Sequence, residues 1–196
     1  MTVTNIARRF LHARTGAVAV EFAMISIPLL MLILAISEAG VDLYLKSALD
    51  NAAQNVARQI FTGAAQNMSV NGAAVTQQYF TQHVVCPNLP AVLSCSNVIV
   101  NIVNFAETAS PTPYYNYVNA SSNGLLQPTL DNTKTNFCLG TTSSYVILQI
   151  LYPLPLISSV FGNGPVTTLN GKTVRILFST AVFRNEPFPS PTYSTC

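Results

Sequence analysis

Residues 17–36 read Ala17-Val18-Ala19-Val20-Glu21-Phe22-Ala23-Met24-Ile25-Ser26-Ile27-Pro28-Leu29-Leu30-Met31-Leu32-Ile33-Leu34-Ala35-Ile36, with Glu21 as the only charge. Twenty helical residues at about 1.5 Å each reach about 30 Å, the thickness of a bilayer hydrocarbon core. Arg8, Arg9 and Arg14 precede the run, and Glu38 and Asp42 follow it. Basic residues stay on the cytoplasmic side, so the N-terminus is expected in the cytoplasm and everything after Ile36 outside it. A cleaved secretory signal is the competing reading. Against it stand the length of the run, the poor cleavage sites around Ala35-Ile36-Ser37 and Ser37-Glu38-Ala39, and Glu21 itself. A plain uncleaved anchor is the other alternative.

Glu21 needs an explanation, because an acid inside a membrane helix costs on the order of 2.5–3.5 kcal/mol on insertion scales. Its partner should be positive and close, yet no Lys or Arg lies between Ala17 and Asp42. Cleavage after Gly16 would create one, the α-amine of Ala17, on the same chain or on a neighbour. An ammonium–carboxylate pair between neighbours in a low dielectric would fix their axial register. The plainer alternative is a Glu carried neutral, or one close enough to the headgroups to reach water.

Arg14-Thr15-Gly16-Ala17-Val18-Ala19-Val20-Glu21-Phe22-Ala23 resembles the start of TadE-like proteins, the minor pilins (pseudopilins) of the tight-adherence type IVc pilus system. Pro28, Ile36-Ser37-Glu38-Ala39-Gly40 and the closing phrase Thr180-Ala181-Val182-Phe183-Arg184-Asn185-Glu186-Pro187-Phe188 look like the same family. The resemblance implies a leader over residues 1–16, cut by a prepilin peptidase between Gly16 and Ala17, with Glu21 and Phe22 as assembly residues. It also implies the partners: that peptidase, other Tad pilins with their inner-membrane assembly platform, and membrane lipid. The function so implied is a minor pilin needed for assembly or tip structure of an adhesive pilus, held single-pass in the inner membrane before transfer to the extracellular filament. The alternative is a membrane-anchored binding module, or adhesin, that never enters a filament.

Composition agrees with an exported chain. Charged residues make up 8%, against about 25% in ordinary soluble domains, and Asn, Thr, Ser and Gln supply the polarity. The net charge of +2 is concentrated at the N-terminal tip; without residues 1–16 six bases face seven acids. No clustered Lys and Arg remain for nucleic acid, so none is expected as a partner. Cys86, Cys95, Cys138 and Cys196 all follow the apolar run, as expected for two disulfides in an oxidising compartment. Four cysteines allow three pairings; the short Cys86–Cys95 loop with Cys138–Cys196 is the preferred one.

Beyond the span, Leu45, Leu49, Ala52, Val56 and Ile60 recur at intervals of three and four, which extends the helix over 37–63 with one apolar stripe. Asp42 and Lys46 form an i,i+4 pair on it, and Gly63 is a C-terminal stop. The stripe suits packing on the chain's own head, or helix–helix contact with another pilin. A second helix is expected over Gly72–Val85, burying Val75, Tyr79, Phe80 and Val84. Strands are expected at Asn97–Phe105, Ser144–Tyr152 and Thr173–Phe183, the middle one covered on both faces. Asn170-Gly171 is a turn signal, and Pro153, Pro155 and Gly162-Asn163-Gly164-Pro165 read as loop. Residues 106–143 form a long loop, with Tyr114, Tyr115 and Tyr117 either packed over the sheet or serving as a contact surface. The expected class is α+β: a long N-terminal transmembrane and amphipathic helix plus a small antiparallel β-sheet head over 64–196, a pilin-like arrangement.

Motifs of catalysis are missing: the sequence has no Gly-rich phosphate loop and no GxSxG elbow. His83 is the one exported imidazole and reads as a surface or cap residue, and the exported acids are unpaired in sequence. No enzyme activity, cofactor or metal is therefore expected. Glu186 reads as a strand-end turn or a salt-bridge partner of Arg184, not as an acid catalyst. Asn67-Met68-Ser69 and Asn119-Ala120-Ser121 match glycosylation sequons by accident.

Overall fold

The structure is a computed structural model and describes residues 16–105, 115, 117–119, 121, 124–155, 166–189 and 196. The leader with its three arginines, Tyr114, Glu107 and the Gly162–Pro165 turn lie outside these residues.

A single helix, α1, runs from Ala17 to Phe61 with Pro28 inside it. Its apolar first half holds few polar groups, and two of these turn back on the backbone. Ser26 donates to the carbonyl of Ala23 at 3.3 Å, and Ser37 to that of Ile33 at 2.8 Å. The first buried residue is Leu45, followed by Leu49, Ala52, Ala53, Val56, Ala57 and Ile60. These positions recur every three to four residues, the spacing that keeps one helix face against a partner.

Every one of the last four carbonyls of α1, which have no intrahelical partner, is satisfied from outside. Thr62 gives its N–H and its hydroxyl to Arg58 O, and Ala65 N–H bonds Gln59 O. Gly63 N–H and the Gln66 amide both reach Ile60 O. Phe61 O accepts from the N–H of Glu186, 125 positions along the chain, at 2.9 Å. Gly63 turns the chain with φ of +80°, and a Cβ there would sit 2.6 Å from the Phe188 ring. The closing phrase thus caps the helix: Phe183 meets Phe61 edge-on at 6.3 Å. The buried Asn185 donates to Leu139 O and Thr141 O.

The head is built on an antiparallel sheet of β3 (Ile99–Phe105), β6 (Tyr145–Pro155), β8 (Lys172–Arg184) and β7 (Val166–Leu169), in the order β3-β6-β8-β7. Two-residue hairpins precede and interrupt it: β1 (Ser69–Val70) with β2 (Ala73–Ala74), and β4 (Val118–Asn119) with β5 (Gly124–Leu125). Strand β6 is the spine, buried from Val146 to Pro153. One face of the sheet sends Val100, Ile102, Val146, Leu148, Ile150, Tyr152 and Leu177 into the core shared with α1. On the other face Ile99, Val103, Ile147 and Leu151 are buried too. There the Asn101 amide donates to Gln149 across the strands, and Gln149 donates to Leu126 O. A strand covered on both faces reads as an unbroken apolar run, as this one does.

The outer edge of β3 is sealed by residues 132–138. Asn132 accepts from Val100 N–H and donates to Val98 O, Asn136 O accepts from Ile102 N–H, and Cys138 N–H returns to Ile102 O. The turn before it is set by Asp131, whose carboxylate is held below its ordinary range by the Thr133 hydroxyl first and by the Thr133 N–H. Disulfides join Cys86 to Cys95, with 5.5 Å between Cα atoms, and Cys138 to Cys196, with 4.8 Å.

Three expectations from the sequence need correction. The second helix, α2, spans only Gln77–Phe80, capped by Thr76, and continues as a π turn over Thr81–Val85. Residues before it form the β1–β2 hairpin, because Asn71-Gly72, with φ of +52° and +77°, is a hairpin turn pair. The middle strand runs on through Pro153 and Pro155. Their missing N–H groups, two residues apart, face the side where β3 has already ended, opposite Leu151, and proline is tolerated at such an edge. A fourth strand, β7, pairs with β8 across Asn170-Gly171.

Candidate functional site

Gly16 stands exposed immediately before α1, and Ala17 is its first residue. Glu21 lies one turn further on, about 6 Å along the axis from Ala17. Glu21 is exposed, and Phe22 beside it is 72% exposed. Val18, Val20, Met24, Ile25 and the leucines that follow are exposed in the same way. A fully exposed apolar surface of this size is not stable against water. The helix is long and apolar enough to cross a membrane, and none of its most apolar stretch is buried inside the protein. From Ala17 to Val41 the projecting part spans about 37 Å, enough for the hydrocarbon core and part of one headgroup layer. Among the described residues Glu21 has no ion-pair partner; the ion pairs present are Lys134 with Asp131 and Arg175 with Asp42.

The second of those pairs marks where the helix meets the head. Arg175, on β8 and facing α1, is almost completely buried, and its guanidinium bonds the carboxylate of Asp42. Asp42 was expected to support the helix through Lys46; it is committed to the sheet instead. Two further guanidinium nitrogens of Arg175, Nε and one Nη, have no hydrogen-bond partner. The sequence carried a signal for this pair, since Arg175 is the one charge within the apolar run 174–183, and a buried charge demands a partner.

From this junction β8 and α1 run side by side in the same direction. The contacts begin at Asp42–Arg175 and end at Phe61–Phe183 and the Glu186–Phe61 hydrogen bond. Small residues line the approach, Ala53 and Ala57 on the helix and Ser179 and Ala181 on the strand. The outer half of the helix stripe is therefore spent on the chain's own head.

Of the other candidates, His83 is exposed, stacks on Tyr79 at 3.9 Å, and has its Nδ1 3.0 Å from Tyr79 O. Tyr115 is exposed and Tyr117 half-buried, stacked on Phe105 at 6.4 Å. Arg184 lies over the Tyr145 ring at 5.6 Å and donates to Ser143 O, while Glu186 contributes its backbone to the helix cap. No group of three or more His, Cys, Asp or Glu suited to a metal occurs among the described residues.

Comparison with curated proteins and with solved structures gives no match. Residues 16–58, from the Gly before the helix to its last turn, match the model of the family described as TadE-like protein. The projecting helix with Glu21 near its start is thus the part of the chain that carries the family pattern, consistent with a TadE-like protein associated with a Tad pilus.

Proposed function

We propose that this protein is a minor pilin, cut between Gly16 and Ala17 by a prepilin peptidase and then drawn from the inner membrane into a Tad pilus or its assembly complex. The observation that carries the reading is Glu21: a lone acid near the start of an unburied apolar helix, one turn beyond Ala17 and the exposed Gly16 before it. Cleavage supplies the missing cation. The new α-amine of Ala17, on the same subunit or the next, neutralises the carboxylate in lipid and sets the height at which neighbouring helices pack. Phe22 and the apolar residues around it then form the helix–helix contact surface. The peptidase, other pilins and the inner-membrane platform are the partners this mechanism requires, with the N-terminus cytoplasmic and the head exported.

The test separates processing from assembly. Gly16→Phe accumulates precursor beginning at Met1, read by N-terminal sequencing of protein from its own host. Glu21→Ala is cleaved normally but pilus yield falls by at least about tenfold, the effect of losing roughly one unit of ion-pair energy. Normal pili from the Glu21→Ala chain would remove the register role; a native N-terminus anywhere other than Ala17 would remove the assignment.

A further inference from the structure

The Asn170-Gly171 turn joins β7 to β8 at the end of the sheet nearest the projecting half of α1. Strand and helix advance together. From Asp42 to Phe61 the helix rises about 28 Å, and between their partners, Arg175 and Phe183, the strand rises about 26 Å. The two axes are therefore close to parallel, and a height on one can be read on the other. Lys172 stands about 10 Å below Arg175, the height of Ala35 and Ile36 on the helix. Burial agrees with this. Below Leu49 and Leu45 the covered stripe of α1 continues through Asp42, Glu38 and Ala35, all half-buried, while Ile36, Ser37, Ala39, Gly40 and Val41 between them are exposed. The head thus reaches down along α1 to the end of its unbroken apolar run.

The tip of this hairpin is polar and basic. Asn170, Gly171 and Lys172 are exposed, and a Cβ at Gly171 would meet open space. Positive φ at both turn residues, 50° and 74°, is the geometry that holds a two-residue hairpin by itself. Lys172 is the one charge between Val166 and Val174 and has no ion-pair partner among the described residues. No Asp or Glu occurs between Asp131 and Glu186, so the strands on either side offer it none. Thr168 and Thr173, paired across the strands beside the tip, are exposed and add two hydroxyls.

We infer that the β7–β8 hairpin rests in the headgroup layer of the bilayer that α1 crosses, with Lys172 on the phosphate of an anionic phospholipid. The inference rests on the membrane span of the reading above, and is independent of cleavage after Gly16 and of pilus assembly. With residues 17–36 in the hydrocarbon core, the headgroup layer on the side of the head is about 5–7 Å deep and begins at Ile36, the height of Lys172. An anionic surface attracts a lysine held at that distance, and the aliphatic stem lets the ammonium reach the phosphates. The hairpin gives the head a second foot beside the helix, which fixes its depth and its tilt on the membrane.

The chain has no Trp, so a single introduced Trp reports its own depth. Three full-length chains carry Leu30→Trp in the span, Thr168→Trp beside the tip, or Val182→Trp near the far end of β8. Each is checked for both disulfides and placed in vesicles of mixed phosphatidylcholine and phosphatidylglycerol. Lipids brominated near the top of the acyl chain should quench Leu30→Trp and Thr168→Trp and leave Val182→Trp, about 30 Å higher, unquenched. Adding Lys172→Glu to the Thr168→Trp chain should lower its ratio of quenched to unquenched emission at least about fivefold, the effect of one Lys at an anionic surface. Lys172→Arg should preserve the ratio, and in phosphatidylcholine alone Lys172→Glu should change nothing. Quenching of Leu30→Trp without Thr168→Trp overturns the inference and leaves the span standing; absence of both removes the span and the inference with it. Quenching indifferent to Lys172→Glu, or appearing only as protein density in the vesicle rises, which marks a second copy, overturns the lipid contact.

Discussion

Asp42 and Arg175 show how one residue pair marks where an exposed apolar helix begins to pack on the head. Arg175 is buried against α1 with Asp42 as its ion-pair partner and two nitrogens otherwise unpaired. Removing the carboxylate strands a cation in a low dielectric. Asp42→Ala should therefore destabilise the head by on the order of 3 kcal/mol, measured by urea unfolding of the detergent-solubilised chain. Adding Arg175→Met should recover most of that loss, because apolar replacement of a whole buried pair is close to neutral. An unchanged midpoint for Asp42→Ala would mean that the pair is solvated. The position of Glu21 in an exposed apolar helix was legible from sequence because its surroundings are contiguous in the chain and uniformly apolar. The Asp42–Arg175 pair was not, because its members lie 133 positions apart and a nearer cation, Lys46, offered Asp42 a local partner.

The elements were legible in proportion to how local their causes are. Helix α1 ends at Phe61 as the Gly63 signal implies, yet its cap comes largely from elsewhere: Glu186, Gln66 and the Phe188 ring. Gly63→Ala puts a Cβ into that ring at a positive φ. The left-handed conformation costs about 1–2 kcal/mol, and displacing Phe188 adds about 1–3 kcal/mol. The variant should unfold at a lower temperature by circular dichroism, whereas Gly40→Ala, with open space around its Cβ, should be neutral or slightly stabilising. Equal behaviour of the two variants would contradict the packing described. Strand β7 and the β1–β2 hairpin were missed because each has two to four residues, too few for periodicity to register. The Asn71-Gly72 pair was a readable turn signal overridden by the apparent helical spacing of Val75, Tyr79, Phe80 and Val84. Pro153 and Pro155 were read as strand breakers, and only the position where β3 ends explains why they are not.

At the scale of the molecule, a projecting apolar helix and a disulfide-closed head meet at a single level. Residues 17–41 contribute nothing to the head's core, whose first member is Leu45. A chain beginning at Val41 should consequently fold with both disulfides, remain in solution without detergent, and melt within a few degrees of the full chain. A collapse of the thermal transition in that truncated chain would assign the span a part in head stability. Because β8 lies alongside α1 from Asp42 to Phe61, a pull on the head along the helix axis loads their shared contacts in parallel. Such a joint resists as a lap splice does and cannot peel open one bond at a time. The chain should transmit tension from the far end of the head to the projecting helix without the give of a flexible neck.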